Sequence, residues 1–131
     1  MENKNYIPLE KLEVYQLARE LSRTGWKIYE QLNWQDKKII GDQFITATDS
    51  YGANLTEGYL RHHFLDKIKF YYNARASLKE AGGYWIELLK ERGKVSEDDY
   101  KKYVRTYQDV SVRFQNFITA TYKAKTNYEI Q

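Results

Sequence analysis

The 131-residue sequence predicts an all-α protein, folded as an antiparallel up-down-up-down four-helix bundle. Along four long segments, apolar residues recur at alternating spacings of three and four, which places each set on one side of a helix. Charged residues make up 30% of the chain and there is a single proline, a composition that favours long helices over a sheet. We therefore expect one domain covering residues 1–131, with helices over about 9–32, 36–60, 63–92 and 96–124.

The first two helices are predicted from continuous apolar stripes. The first opens near Leu9, with Pro8 in its first turn, where a missing N–H costs little, and Asn33 ends it. The second ends between Gly58 and His62. The stripe of the first consists of Val14, Leu17, Ala18, Leu21, Gly25, Ile28 and Leu32, and that of the second of Ile40, Phe44, Ala47, Tyr51 and Leu55.

The third helix has apolar residues on two faces, which indicates contacts beyond its own bundle. Gly93 suits the position after its C-terminus, and Ser96, followed by an acidic first turn, suits the N-cap of the fourth helix. From residue 123 onward we expect a polar tail. The seams of the third helix are Phe64, Ile68, Tyr71, Arg75, Leu78, Gly82, Trp85 and Leu89, and Phe70, Ala74, Ser77, Ala81, Tyr84 and Leu88; the fourth carries Tyr100, Tyr103, Tyr107, Val110, Phe114 and Phe117.

The stretch SYGANLTEGYLRHHF, from Ser50 to Phe64, combines small and polar residues in a helical segment. A glycine inside a helix costs about 1 kcal/mol relative to alanine, so a packing or functional reason is expected. The alternative is that Gly58 ends the helix and the polar row beside it is simply solvated. Arg75 interrupts an apolar seam, and we expect it to pair with a carboxylate or carbonyl, with Glu57 or Asp49 as first candidates. The predicted close-packing or interface residues are Gly52, Ala53, Asn54, Glu57, Gly58, Arg75, Gly82 and Gly83.

Composition excludes several classes of chemistry. The chain has no cysteine, which excludes disulfides, thiolate metal sites and cysteine nucleophiles. Thirteen tyrosines, five phenylalanines and three tryptophans can fill a bundle core or stack on unpaired bases. The first residues lack the apolar region of a signal peptide, and no stretch is apolar enough to cross a membrane. We expect a soluble, cytoplasmic protein.

No catalytic signature is present, and we expect a protein that is not an enzyme, with no cofactor, no metal site and no small-molecule substrate. The only histidines are His62 and His63. Neighbours on a helix point about 100° apart, so the two do not readily share a metal ion. No Glu-x-x-His, His-Glu-x-x-His, glycine-rich phosphate loop or nucleophile elbow occurs.

A surface for nucleic acid is the stronger functional prediction. The formal net charge is +3, a mild basic excess. In an up-down bundle, the end of the second helix, the start of the third and both chain termini meet at one pole. The alternative for each residue is a solvated cation that keeps the protein soluble. The candidate residues at this pole are Arg61, His62, His63, Lys67, Lys69, Lys123 and Lys125.

The sequence resembles the four-helix-bundle proteins encoded within intervening sequences of bacterial 23S rRNA genes. The resemblance rests on a Ser-x-Gly-Ala-Asn-x-x-Glu-Gly-x-x-Arg run, on the aromatic segment DKIKFYY, on SLKEA and on YWIELL, and it is best from Phe44 to Gly93. It implies a homopentamer without established catalytic activity. More distant relatives are accessory subunits of diversity-generating retroelements, in which a basic pentameric barrel engages a reverse transcriptase and nucleic acid. Ser50, Gly52, Ala53, Asn54, Glu57, Gly58 and Arg61 form the run.

The function expected from the sequence is that of a non-enzymatic, homo-oligomeric binding or scaffold protein whose partner is RNA or a ribonucleoprotein. The bundle is predicted from periodicity, whereas the pentamer and the nucleic-acid partner depend mostly on the resemblance. The alternative is a protein–protein adaptor with no nucleic-acid role. Salt dependence separates the two, because phosphate binding weakens steeply as salt rises.

Overall fold

The computed structural model describes residues 6–130 and confirms the predicted all-α fold, with four helices in antiparallel contact. Helices α2 and α3 each contain a π-helical turn within an otherwise α-helical run. No helix among these residues is long and apolar enough to span a bilayer. The helices are α1 (Glu13–Glu30), α2 (Trp34–Asp36, π-turn Lys37–Gly41, Asp42–Tyr59), α3 (Phe64–Glu80, π-turn Ala81–Trp85, Ile86–Glu91) and α4 (Glu97–Ile130).

Two of the predicted boundaries are wrong. The first helix begins at Glu13, because Leu12 is extended (φ −70°, ψ 128°) and separates it from a 3₁₀ turn at Leu9–Lys11. The fourth helix does not give way to a polar tail at 124 but continues to Ile130. No Gly or Pro interrupts this stretch, and Lys125 pairs with Glu129 one turn on, which supports a helix.

The predicted stripes supply the core. The buried aromatic residues interlock across helices: the ring of Tyr51 meets that of Phe114 edge-on at 5.1 Å. Buried tyrosine hydroxyls have partners, since Tyr51 donates to the Val14 carbonyl at 3.1 Å and the Tyr103 hydroxyl lies 2.7 Å from that of Thr48. Burial raises the pKa of Tyr51, so this residue stays a neutral donor. The three buried tyrosines, Tyr51, Tyr71 and Tyr103, are therefore structural.

The π-turn of α3 brings a tyrosine ring onto the backbone of the helix. Gly82 is buried beneath the ring of Tyr107, and a Cβ atom added there would lie 2.2 Å from Tyr107 Cδ1. The neighbouring Gly83 has room, because its added Cβ would meet only the Tyr107 hydroxyl, at 3.6 Å. Close packing therefore requires a glycine at the first position of the pair and not at the second.

We call residues 27–38 and 80–107 the capped end, because the α1–α2 and α3–α4 connections meet there. Gly93 has φ +67°; its N–H reaches the Lys90 carbonyl at 3.0 Å, and the Lys94 N–H reaches that of Leu89 at 2.8 Å. These two bonds form a Schellman motif. Ser96 then caps α4 by accepting a hydrogen bond from the Asp99 N–H at 3.2 Å. The helix stop and start predicted at Gly93 and Ser96 are confirmed.

Asp99 joins the end of α1 to the start of α4 at the capped end. Its carboxylate, only 8% exposed, accepts from Gln31 Nε2 at 3.2 Å and lies 3.3 Å from Lys27 Nζ. Burial by itself would raise the pKa of Asp99, but the hydrogen bonds from Lys27 and Gln31 outweigh it and hold this pKa below its usual value. Nearby, a hydrogen bond to Glu87 raises the pKa of Tyr100 to about 12.

Candidate nucleic-acid interface

The opposite end of the bundle gathers the segments that were predicted to meet there. We call residues 6–8, 57–69 and 119–129 the open end. The ring of Tyr6 stacks on that of Tyr59 at 6.0 Å, and the ring of Phe64 lies 5.8 Å from that of Tyr128. The end of α2, the start of α3, the end of α4 and the first described residues therefore come together.

Two of the predicted cations at the open end already have partners that hold them in place. Arg61 Nη2 lies 2.7 Å from Glu57 Oε1, and its guanidinium covers the Phe70 ring at 4.8 Å. Lys67 donates from Nζ to the Tyr59 carbonyl at 2.8 Å, and burial lowers its pKa. This lysine satisfies an orphan carbonyl at the end of α2, which is a structural role.

Lys125 and the remaining predicted cations are more available. Among residues 6–130, Lys125 pairs with Glu129 alone, at 2.7 Å within the same helix, while His62, His63, Lys69 and Lys123 are exposed. The two histidines lie between α2 and α3 rather than on a helix, with His63 at the N-cap position of α3 in extended backbone. The open end thus presents exposed nitrogen donors from the α2–α3 connection, α3 and α4.

One segment of α3 and one of α4 lie side by side and contain no acidic residue. Residues 67–79 and 114–128 contain six lysines and arginines and no Asp or Glu. The two segments lie side by side, because the Tyr72 and Tyr122 hydroxyls are 2.5 Å apart and Phe64 meets Tyr128. We call their outer surface the α3–α4 face; its exposed aromatic and basic members are Lys69, Tyr72, Lys79, Tyr122, Lys123 and Tyr128.

Arg75 lies at the edge of this face, and its predicted partners Glu57 and Asp49 are wrong. It donates from Nη1 to the amide oxygen of Gln115 at 2.9 Å, and its guanidinium lies 4.8 Å from the centre of the Tyr72 ring. Arg75 lies on the side of α3 that faces α4, whereas Glu57 and Asp49 are both on α2. The partner is still a carbonyl oxygen, as expected.

Two exposed tyrosines on the face were not singled out from the sequence. Tyr72 and Tyr122 are each 39% exposed, with ring centres 6.3 Å apart. The only sequence signal available was their position outside the apolar seams of their helices. Their juxtaposition depends on the register between α3 and α4, which periodicity does not specify.

A cleft of about 410 Å³ lies at the open end, between the start of α3 and the end of α4. It joins predicted cations to aromatic rings, and it exists only because α4 continues beyond residue 124. Tyr128, which forms one wall, is 71% exposed. The lining residues are His63, Phe64, Leu65, Asp66, Lys125, Tyr128 and Glu129.

The small-residue strip of α2 borders a second depression, a groove of about 400 Å³ between α1 and α2. Gly52 and Ala53 line it, and an added Cβ at Gly52 would lie 3.3 Å from that of Ala18. Asn54 donates to the Ser50 carbonyl at 2.9 Å on its own helix. Gly58 is buried against Tyr71, which a Cβ would approach to 2.8 Å.

These positions divide the predicted interface residues into two groups. Gly58 and Gly82 pack inside the subunit, whereas Gly52, Ala53 and Gly83 keep part of their surface toward solvent. Of these five small residues, only the second group is available to another chain; Glu57 is exposed as well. In the part of the chain that the structure describes, no three His, Asp or Glu side chains come together as a metal-binding group.

Comparison with known proteins agrees with the predicted resemblance. The family model described as 23S rRNA-intervening sequence protein matches residues 10–116. A crystal structure of a protein of unknown function from the S23 ribosomal protein family of Bacteroides thetaiotaomicron has a TM-score of 0.74 and 22% identity, covering 80% of this chain and 97% of that one. No curated protein matches the sequence. The structural match shows a shared fold, and the family match covers most of the chain. The chain therefore belongs to the 23S rRNA-intervening sequence protein family.

Proposed function

We propose that the protein is a non-enzymatic, homo-oligomeric binding protein that engages RNA, alone or in a ribonucleoprotein, through the α3–α4 face and the open end. The observation that carries this proposal is the absence of carboxylates from residues 67–79 and 114–128, which pack side by side and hold six cations. Phosphate contacts supply most of the affinity of sequence-independent RNA binding. A surface of this kind attracts phosphates, because its acids are confined to its margins, at Asp66, Glu80 and Glu129.

The uneven distribution of charge also supports RNA binding at the α3–α4 face. Residues 42–59, which form most of α2, contain three carboxylates and no lysine or arginine. The net charge of +3 is therefore the sum of an acidic side and a basic side. Such an asymmetric field orients an approaching polyanion as well as attracting it.

Assembly into a homo-oligomer, a pentamer by the resemblance, is part of the proposal. Several large apolar side chains are solvent-exposed on the isolated chain, among them Trp34 and Ile39 at about 70%. Exposed apolar surface of this kind is typical of interaction sites. A ring of identical subunits would repeat the α3–α4 face around its circumference and multiply a modest charge.

The test is size-exclusion chromatography with light scattering, with and without a structured RNA, at about 50 and 200 mM salt. We expect an oligomer that shifts with RNA at low salt and less at moderate salt. The double variant Lys69→Glu/Lys123→Glu should weaken binding about tenfold or more. Lys38→Glu/Lys102→Glu is the matched control, since it makes the same charge change with exposed lysines of the capped end. Equal effects of the two pairs would show that only net charge matters and would remove the α3–α4 face from the proposal.

The second candidate is a protein–protein adaptor without a nucleic-acid role. The observation that favours it is the α1–α2 groove, whose exposed lining is mostly apolar and includes Tyr15, Ala18 and Gly52. An adaptor of this type would give complexes that change little between the two salt concentrations. An oligomer that ignores RNA at both concentrations would favour this candidate.

A further inference from the structure

The cleft at the open end differs from the neighbouring α3–α4 face in carrying carboxylates. Asp66 and Glu129 both line it, whereas residues 67–79 and 114–128 next to it have none. The cleft sets these two carboxylates against one lysine, Lys125, so it attracts a phosphate less than the face outside it does. A nucleic acid is therefore expected to bind with its phosphate backbone on the α3–α4 face and an uncharged group, such as a base, in the cleft.

The walls of the cleft suit a flat aromatic group. Phe64 and Tyr128 form an aromatic pair with ring planes 49° apart, and Tyr128 leaves most of its surface open to solvent. His63 and Leu65 complete the wall on the α3 side. Aromatic side chains stack on nucleobases irrespective of sequence, because every base has a π-face. The cleft volume of about 410 Å³ is within the range of small-ligand sites.

The edge of the cleft offers hydrogen-bonding groups of both kinds. Lys125 Nζ, a donor, lies 2.7 Å from Glu129 Oε1, an acceptor. The edge of every nucleobase presents donors and acceptors side by side, and it can therefore hydrogen-bond to both Lys125 and Glu129. An apolar side chain of a protein partner cannot. Both side chains are on the last turns of α4, which hold them at a fixed spacing.

A second stacking surface follows along the same helix. Tyr122 precedes Tyr128 by six residues, a rise of about 9 Å along α4. Successive nucleotides within a duplex strand are separated by about 3.4 Å. Bases that reach both tyrosines must be splayed apart, which an unpaired strand allows and a duplex does not.

From these observations, and resting on the proposed function, we infer that the cleft receives a single unpaired base, stacked on Tyr128, of an RNA strand whose phosphates lie on Lys69 and Lys123. The class of substrate is thus single-stranded RNA or an unpaired loop. Double-stranded RNA would contact only the cations. Aromatic recognition then adds to the electrostatic attraction and is independent of it.

The experiment measures binding of the full chain by fluorescence anisotropy to three probes of equal length: an unstructured single strand, its duplex, and an abasic strand with the same phosphates. We expect the single strand to bind most tightly. Tyr128→Ala should lower its affinity about 5- to 150-fold, the range for loss of one stacked base, and leave the abasic strand unaffected. Tyr84→Ala is the matched control, since Tyr84 is also an exposed tyrosine but lies at the capped end.

Each outcome has a defined meaning. Equal binding of all three probes would overturn the inference while leaving the proposed function intact. A preference for the single strand that survives Tyr128→Ala would also overturn it, because the base would then be held elsewhere. Failure of the unaltered protein to bind any probe at low salt would remove the proposed function itself. Circular dichroism confirms that the exposed substitution leaves the helices folded.

Discussion

The two ends of this bundle use the same kinds of residue differently. At the capped end, three ion pairs connect separate parts of the chain, Lys27 with Asp99, Lys90 with Glu97, and Lys94 with Asp36, beside one local pair between Lys101 and Glu97. At the open end, the ion pairs are local, and both Arg61–Glu57 and Lys125–Glu129 join residues four apart. Ion pairs at the capped end connect segments that are distant in the chain, whereas those at the open end connect only near neighbours in sequence.

This difference indicates which end of the bundle contributes to stability and which is available for ligand binding. A cation already paired across two helices loses a partner if it turns toward a ligand, so binding there costs stability. A lysine paired within one exposed helical turn contributes at most a few tenths of a kcal/mol to folding. Charge counts alone do not distinguish the two ends, because both are basic in sequence. Stability should therefore be sensitive to the capped end and binding to the open end.

The largest expected effect on stability is at the π-turn of α3. Gly82→Ala would place a Cβ against the body of the Tyr107 ring, and we expect a loss of about 1–3 kcal/mol of unfolding free energy. Gly83→Ala is the matched control. It meets no close contact and should be neutral or stabilising by up to about 1 kcal/mol from helix propensity. Urea denaturation of both variants measures the difference, and equal stabilities would contradict the close approach of Tyr107.

Asp99→Asn should cost about 1–2 kcal/mol at pH 7, because it removes a nearly buried carboxylate from Lys27, Gln31 and the start of α4. The estimate is modest because Lys27 is itself mostly exposed. Since the pKa of Asp99 is lowered on folding, its contribution is present above the unfolded pKa of 3.8 and is lost as the pH falls through the lower folded value. The difference in stability between the two proteins should therefore shrink as denaturation is followed below about pH 4. A constant difference down to pH 2 would be evidence against this assignment.

Ser96→Ala should lower stability by about 1 kcal/mol through loss of the N-cap of α4. Ser96→Asp restores an acceptor and should recover most of the loss. Thermal unfolding of the two variants tests the cap. If both were equally destabilised, the hydroxyl would not be acting as a hydrogen-bond acceptor for the Asp99 N–H.

The smallest effects on stability are expected at the open end. Tyr128→Ala and Lys69→Glu/Lys123→Glu should each change the unfolding free energy by less than about 0.5 kcal/mol, since these side chains are exposed and no buried contact depends on them. The same variants are expected to have the largest effects on RNA binding. A large loss of stability in either would mean that the open end is part of the structural core, and the contrast between the ends would disappear.

Local physical chemistry explains which features were predictable. The apolar stripes became the core because burial follows helical periodicity, as Phe44, Tyr51 and Phe114 show. Gly93 and Ser96 were located from sequence because a positive φ and an N-cap impose specific residue types. The end of α4 was misjudged because polar residues such as Lys125 and Tyr128 are compatible with both a tail and a helix, and contact with α3 decides between them.

The candidate site was only partly predictable. The sequence predicts which cations lie at the site, but it does not predict which of them are free to bind a ligand. Lys67 donates a hydrogen bond to the Tyr59 carbonyl, whereas Lys69 is exposed. Arg75 was assigned to the wrong neighbouring helix. Tyr72 and Tyr122 were not identified at all, because the pairing of exposed residues on two helices depends on interhelical register.

The sequence by itself determined the helices, the faces they bury, the turn between α3 and α4, and the family. These follow from spacing, residue type and local backbone preference, which act over a few residues. Only the tertiary structure decided which cations are paired, that α3 and α4 present a face without carboxylates, and that Phe64 and Tyr128 enclose a cleft. Those properties depend on the rotation and register of the packed helices. Contacts between residues that are far apart in the chain determine both.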